Sequence, residues 1–190
     1  MEIINLNKNF ASKKIFDSNN FVFEDGKITY ILGESGIGKT TILRIISGLD
    51  KDFSGTIVGA DKRISYVFQE PRLFPNLTVK ENITITNELS SLNVVDVLKL
   101  VEMENEINSY PTSLSGGMKM RVALARAIYN DGDIFLMDEP FSALDDDLKS
   151  RILPNIFKYL KNKTVIIVSH NIEEAQKYAN SIINFNSILK

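Results

Sequence analysis

Two largely apolar runs without alternation, Ile134-Phe135-Leu136-Met137 and Thr164-Val165-Ile166-Ile167-Val168, interrupt a chain that elsewhere mixes apolar and polar positions. Strands covered on both faces read this way, so the pair predicts inner strands of a parallel sheet. Lys27 to Leu32, Ile64 to Phe68 and Ser181 to Phe185 predict three further strands. Apolar residues then recur at helical spacing from about Lys39 to Ser47, where Gly48 stops the pattern, and from about Ser115 to Tyr129 through Val122, Leu124, Ala125 and Ile128. Asp145 to Tyr159 and Ile172 to Ala179 predict two more helices, the first kinked or broken at Pro154. The fold class is α/β with a mostly parallel sheet.

Two regions depart from that rhythm. Glu2 to Phe10 alternates loosely through Ile4, Leu6 and Phe10, and Phe21-Val22-Phe23-Glu24 precedes the turn Asp25-Gly26, which predicts two antiparallel strands on the sheet's flank. Asp52-Phe53-Ser54-Gly55 turns the chain into a short strand, Thr56 to Val58. From Glu70 to Tyr110, Pro71 and Pro75 break the chain, and Val94, Val95, Leu98 and Val101 fall at helical spacing with no strand-like run between. The expectation is one domain, residues 1–190, with an α-helical subdomain of about residues 71–128 inserted in its core.

Composition removes several classes of function. At 190 residues, 44% hydrophobic and 24% charged, the chain has room for one sizeable core and no mark of disorder or a fibrous repeat. Lysine and arginine (22) nearly balance aspartate and glutamate (24), so a net charge of -2 leaves no footprint for a nucleic-acid backbone, and no nucleic-acid partner is expected. Without cysteine there is no disulfide frame, thiolate metal site or cysteine nucleophile, which fits a reducing cytosol. No apolar run approaches the ~20 residues of a membrane span. Met1-Glu2-Ile3-Ile4-Asn5 lacks the layout of a secretory leader. The expectation is a cytosolic protein that works at a membrane only through an integral partner.

The chemistry concentrates at Gly33-Glu34-Ser35-Gly36-Ile37-Gly38-Lys39-Thr40, followed by Thr41. A buried strand enters this stretch and an amphipathic helix leaves it, the context that a phosphate-binding loop requires. Its glycines allow consecutive N–H groups to turn toward phosphate oxygens, and the helix aims its positive end at the same anion. Lys39 can reach the outer phosphates, and the Thr40 hydroxyl is placed to ligate Mg2+. The core is therefore expected to be that of a P-loop NTPase. Asp138 and Glu139 end the run that starts at Ile134, at the carboxyl edge where open α/β sheets place ligands. Asp138 is a candidate to hold magnesium through a bound water, and Glu139 to polarise an attacking water.

His170, the only histidine, and Gln69 stand at the ends of two other strands. Each reads either as a solvated strand end or as a site residue, His170 toward a terminal phosphate and Gln69 toward metal and water. Leu114-Ser115-Gly116-Gly117-Met118 opens a helix with Ser115 as N-cap, which reads either as an ordinary start or as a second anion site. If the helical subdomain holds Ser115 away from the sheet, a second copy would have to supply it.

Together these motifs, in this order, resemble the ATP-binding subunits of ABC transporters. Residues 33–40 look like Walker A, Gln69 like the Q-loop glutamine, Leu114 to Met118 like the signature motif, and Ile134 to Glu139 like Walker B. Ser142-Ala143-Leu144-Asp145 looks like the D-loop and His170 like the switch histidine. The resemblance implies ATP and Mg2+ as cofactors, the metal on Thr40, Gln69 and Asp138, and catalysis by Glu139, Gln69 and His170. It also implies head-to-tail closure with a second copy or a paralogous ATPase subunit, whose Ser115, Gly116 and Gly117 grip the γ-phosphate while Asp145 links the two sites. Phe10 falls where the family stacks an aromatic ring on adenine; a core phenylalanine is the other reading. Met118 stands in place of the commoner glutamine, and Ala11 in place of a glycine. Phe68 to Val79 and Asp138 to Asp145 look most like importer-type subunits, with Leu73, Phe74 and Leu77 facing a coupling helix of an integral permease. The expected location is peripheral, on the cytoplasmic side of the membrane. A soluble ABC-type ATPase unconnected with transport is the alternative, and a small-molecule phosphotransferase a more distant one.

Overall fold

The computed structural model describes residues 1–10, 13–59, 61–87 and 89–188. In chain order the elements are β1 (Glu2–Phe10), β2 (Lys13–Val22), β3 (Ile28–Leu32), α1 (Lys39–Ile46), β4 (Ser54–Val58) and β5 (Ile64–Val67). Then come α2 (Val79–Thr84), α3 (Val94–Leu100), α4 (Gly116–Asn130), β6 (Ile134–Asp138), α5 (Asp146–Tyr159), β7 (Thr164–Ser169), α6 (Ile172–Tyr178), β8 (Ser181–Asn184) and α7 (Phe185–Ile188). The predicted runs form one sheet in the order β5-β6-β7-β3-β8, every neighbouring pair parallel. β1, β2 and β4 form a separate antiparallel sheet in the order β2-β1-β4.

The unalternating runs are explained by two cores, one on each face of the parallel sheet. Successive side chains of a strand point to opposite faces. Phe135, Met137, Val165 and Ile167 accordingly pack with Val122, Leu124, Ile152 and Ile156 of α4 and α5. Ile134, Leu136, Ile166 and Val168 pack instead with Ile42, Leu43 and Ile46 of α1 and with Phe16 and Phe21 of β2. A polar residue in the middle of β6 or β7 would be stranded in apolar surroundings; Asp138, Thr164 and Ser169 stand at the strand ends.

Four local expectations are corrected. β2 begins at Lys13, well before Phe21; most of it is polar because it is held by backbone pairing with β1 rather than by a buried face. In β1 the buried apolar residues are Ile3 and Leu6, and Ile4 faces out; Asn5 at φ 53° and a shift of register between Ile3 and Leu6 change the phase of the strand. α5 runs unbroken through Pro154, whose exposed ring and equally exposed Ser150 one turn earlier leave the lost hydrogen bond to solvent, while Leu148, Ile152, Leu153, Ile156 and Phe157 hold the apolar face. Phe185 does not extend β8 but starts α7, because its ring is buried 6.0 Å from Phe16 and 5.4 Å from Phe21.

Among the described residues no strand lies between β5 and β6; α2, α3 and two 3-10 turns, Glu104–Glu106 and Pro111–Ser113, lead to α4. A buried amide orders the loop before α2. Asn82 donates to the carbonyls of Phe74 (3.0 Å), Leu77 (2.9 Å) and Thr78 (3.0 Å), and its Oδ1 accepts from Phe74 N at 2.7 Å. Asn82→Ala, which strands these groups, is expected to lower unfolding stability in urea by about 2–3 kcal/mol.

Candidate functional site

Four neighbouring strands deliver the site. β5, β6, β7 and β3 lie side by side and parallel, so their carboxyl ends share one edge. Beyond them come Gln69, the Asp138-Glu139 pair, His170 and the glycine loop. The loop is tied into a ring by its own lysine: Lys39 is 8% exposed, and its Nζ donates to Gly33 O at 2.6 Å and Glu34 O at 2.9 Å. Gly38 caps α1 at φ 117°, and a Cβ there would lie 2.6 Å from Ile15 Cγ2. Glycine is required at this position by backbone sign and by space.

Over the loop opens a cavity of about 550 Å3. Gly33, Glu34, Ser35, Gly36, Gly38, Lys39, Thr40 and Thr41 line one side, with Gln69, Asp138, Glu139, His170 and the half-exposed Phe10 around it. Ile37 instead packs against the core that contains α1. Ser115, Gly116, Gly117 and Asp145 are not on its wall. Ser115 caps α4, its Oγ accepting from Met118 N at 3.3 Å, and a Cβ on Gly117 would lie 3.0 Å from Ala143 O. Asp145 caps α5 through Leu148 N at 2.8 Å. Ala11 lies outside the described residues.

Glu139 and His170 form a pair. Glu139 sits at φ 49°, with its N–H donating to Val168 O at 2.9 Å, and its Oε2 lies 3.0 Å from His170 Nδ1. The carboxylate side chain is 14% exposed and the imidazole 72%, so the acid is inside and the histidine on the rim. A hydrogen bond to the carboxylate needs a proton on Nδ1, since carboxylate oxygens accept, and it leaves Nε2 free for another partner. Asp138 is buried, and burial pushes its carboxyl above the usual carboxylate range, partly opposed by the Thr40 hydroxyl.

The cavity wall also includes Ile15 and Val168, which no motif contains, and Ser142, the first residue of the D-loop-like stretch, to which the motifs gave no role at the site. Ile15 belongs to the unforeseen half of β2. Ser142 Oγ donates to Glu139 O at 2.9 Å. Val168 is indistinguishable in sequence from its core neighbours.

No group of three or more His, Cys, Asp or Glu residues among those described could cage a metal ion. Asp138 Oδ1, however, is buried without a hydrogen-bond partner, on a wall shared with Thr40 and Gln69. These groups fit Mg2+, which takes one or two protein oxygens and completes its shell with phosphate and water.

The family described as ABC transporter matches residues 16–142. The chain belongs to the ABC transporter family. It is 40% identical to the aliphatic sulfonates import ATP-binding protein SsuB of Bacillus anthracis, over 93% of this chain and 75% of the relative. Identity is 37% with the probable sulfate/thiosulfate import ATP-binding protein CysA of Chlorella vulgaris, over 95% of this chain and 85% of that one. Among solved structures, the ATP-binding cassette MJ0796 as a dimer in a post-hydrolysis state bound to ADP and Pi is similar, with a TM-score of 0.84 and 30% identity over 96% of this chain and 93% of that chain. The α/β fold with its P-loop NTPase core is thus that of an ABC cassette, and the chain is an ATPase rather than a small-molecule kinase.

Gly38→Ala is expected to weaken ATP binding at least about tenfold, measured by titration calorimetry, because the added methyl must displace Ile15 or move the loop.

Proposed function

We propose that this chain is the ATP-hydrolysing subunit of an importer, a single ABC ATPase domain with an inserted helical subdomain, acting on a separate membrane permease. The observation that carries this reading is the Glu139–His170 pair standing over the same cavity as the lysine-closed loop. The import names of the relatives weigh against an ABC-type ATPase unconnected with transport.

In the proposed reaction the loop N–H groups and Lys39 hold the β- and γ-phosphates. Thr40, Gln69 and Asp138 would hold Mg2+, which would supply positive charge for the phosphate oxygens. Glu139 accepts a proton from the water that attacks the γ-phosphorus, the bond to the β–γ bridging oxygen breaks, and ADP and phosphate result. His170 orients Glu139 through Nδ1 and is placed to touch the γ-phosphate. Phe10 is assigned to stacking on adenine, which its half-exposed ring on the cavity wall supports.

Ser115, Gly116 and Gly117 are assigned to the γ-phosphate bound by a second copy or a paralogous subunit, and Asp145 to the link between the two sites. Two facts support this: these residues stand off their own cavity, and the similar cassette is a dimer. Among the described residues no helix is long and apolar enough to cross a membrane; the permease is proposed as a separate chain. A second groove of about 410 Å3, lined by Phe68, Arg72, Phe74 and Arg126, is the proposed permease contact, on the cytoplasmic face.

Glu139→Gln is expected to lower phosphate release at least about 100-fold while retaining ATP binding, and to accumulate an ATP-bound dimer in light scattering. Unchanged turnover would remove Glu139 as base. Affinity capture of the chain from native membranes is expected to bring down an integral membrane protein; capture of nucleic acid alone would point away from transport.

A further inference from the structure

Two lysines are buried among the described residues; Lys39 belongs to the phosphate loop, whereas Lys8, 4% exposed, has no part in the reaction. All three of its protons are engaged: Nζ donates to Asp50 Oδ1 at 3.0 Å, Asp52 O at 2.5 Å and Asp52 Oδ2 at 3.3 Å. A buried, fully bonded ammonium is a fixed point rather than a mobile surface charge.

That fixed point touches the cavity through one ring. Lys8 and Phe10 are two residues apart in β1 and share a face, with Nζ 4.8 Å from the Phe10 ring centroid, inside cation–π range. Phe10 lines the cavity and Lys8 does not. The ammonium therefore covers one face of the ring and leaves the cavity side for a flat ligand. Asp50 lies just beyond the end of α1, its N–H donating to Arg44 O at 3.0 Å, and α1 carries Lys39 and Thr40 in its first turn. The Lys8 cluster thus ties the ring to the far end of the helix that bears the phosphate loop.

We propose that Lys8 is a positioning residue for the nucleotide base: anchored by Asp50 and Asp52, it holds the Phe10 ring at a set place relative to the phosphate loop. This rests on the reading of Phe10 as the base platform. Phe10 ends β1 with a half-exposed side chain, and without the ammonium its ring must be ordered by the nucleotide at the nucleotide's expense. The effect belongs to ligands with a base and not to bare polyphosphate.

The test compares the magnesium complexes of ATP and inorganic tripolyphosphate, by calorimetry on the full chain, across F10A, K8M, K8M/D50N and K8M/F10A. K8M/D50N removes the ammonium without stranding the Asp50 charge, and so carries the test if K8M folds poorly. The Lys8 variants are expected to weaken ATP binding about three- to tenfold and to raise KM with kcat retained, leaving tripolyphosphate affinity unchanged. In the F10A background, loss of Lys8 is expected to add almost nothing. Equal weakening of both ligands, or effects that multiply in K8M/F10A, would overturn the proposal. If F10A weakens ATP and the Lys8 variants do not, the role of Lys8 fails while Phe10 stands. If F10A leaves ATP affinity unchanged, the platform reading fails and the proposal with it.

Discussion

The ammonium of Lys39, closed in by the carbonyls of Gly33 and Glu34, is the interaction on which the site depends. A nearly buried charge persists only where it is bonded, and here its partners are the backbone of the very loop that must receive phosphate. The loop is therefore shaped before any anion arrives, so binding need not spend energy on ordering it. That shape in turn rests on packing: β3 is buried over its whole length, Gly38 fits against Ile15, and Ile42, Leu43 and Ile46 root α1 in the core. The parallel order of β5, β6, β7 and β3 then brings Gln69, the adjacent Asp138 and Glu139, and His170 to the loop from three separate stretches of sequence.

Much of this was legible in the sequence because the inner strands and the loop answer to local rules. A strand between two cores must be apolar along its middle, and β6 and β7 are, with Asp138, Thr164 and Ser169 only at their ends; a phosphate loop must combine glycines with a lysine at fixed offsets. What was hidden answers to pairing instead of burial. β2 is polar over most of its length, so nothing in Lys13 to Asn20 announces that Ile15 will meet Gly38. The bulge at Asn5 inverts the faces of β1, which period-two reading cannot see. The expectation of a kink or break at Pro154 fails as to the break, since its cost depends on whether the released carbonyl reaches solvent. For His170 the strand-end position was visible, but the 3.0 Å approach to Glu139 depends on two strands that meet only in the sheet.

As proposed, the cavity is one half of a hydrolytic site. It gathers the glycine loop, Asp138 and the Glu139–His170 pair, while the N-terminus of α4 stands apart with its exposed Ser115. On the proposed reading the missing half comes from a second copy, which makes hydrolysis a property of the dimer and gives transport its stroke, since closing and opening of the pair moves whatever is docked on it.

That claim is tested most directly by mixing two disabled chains. Lys39→Ala removes the phosphate loop's charge, and Ser115→Arg blocks the opposing helix start; each alone should be nearly inactive. A mixed dimer contains one site with Lys39 from one chain and Ser115 from the other, so ATPase activity should reappear on mixing in proportion to the mixed species. A Ser115→Arg chain with full activity by itself, or a mixture as inactive as its parts, would contradict the account.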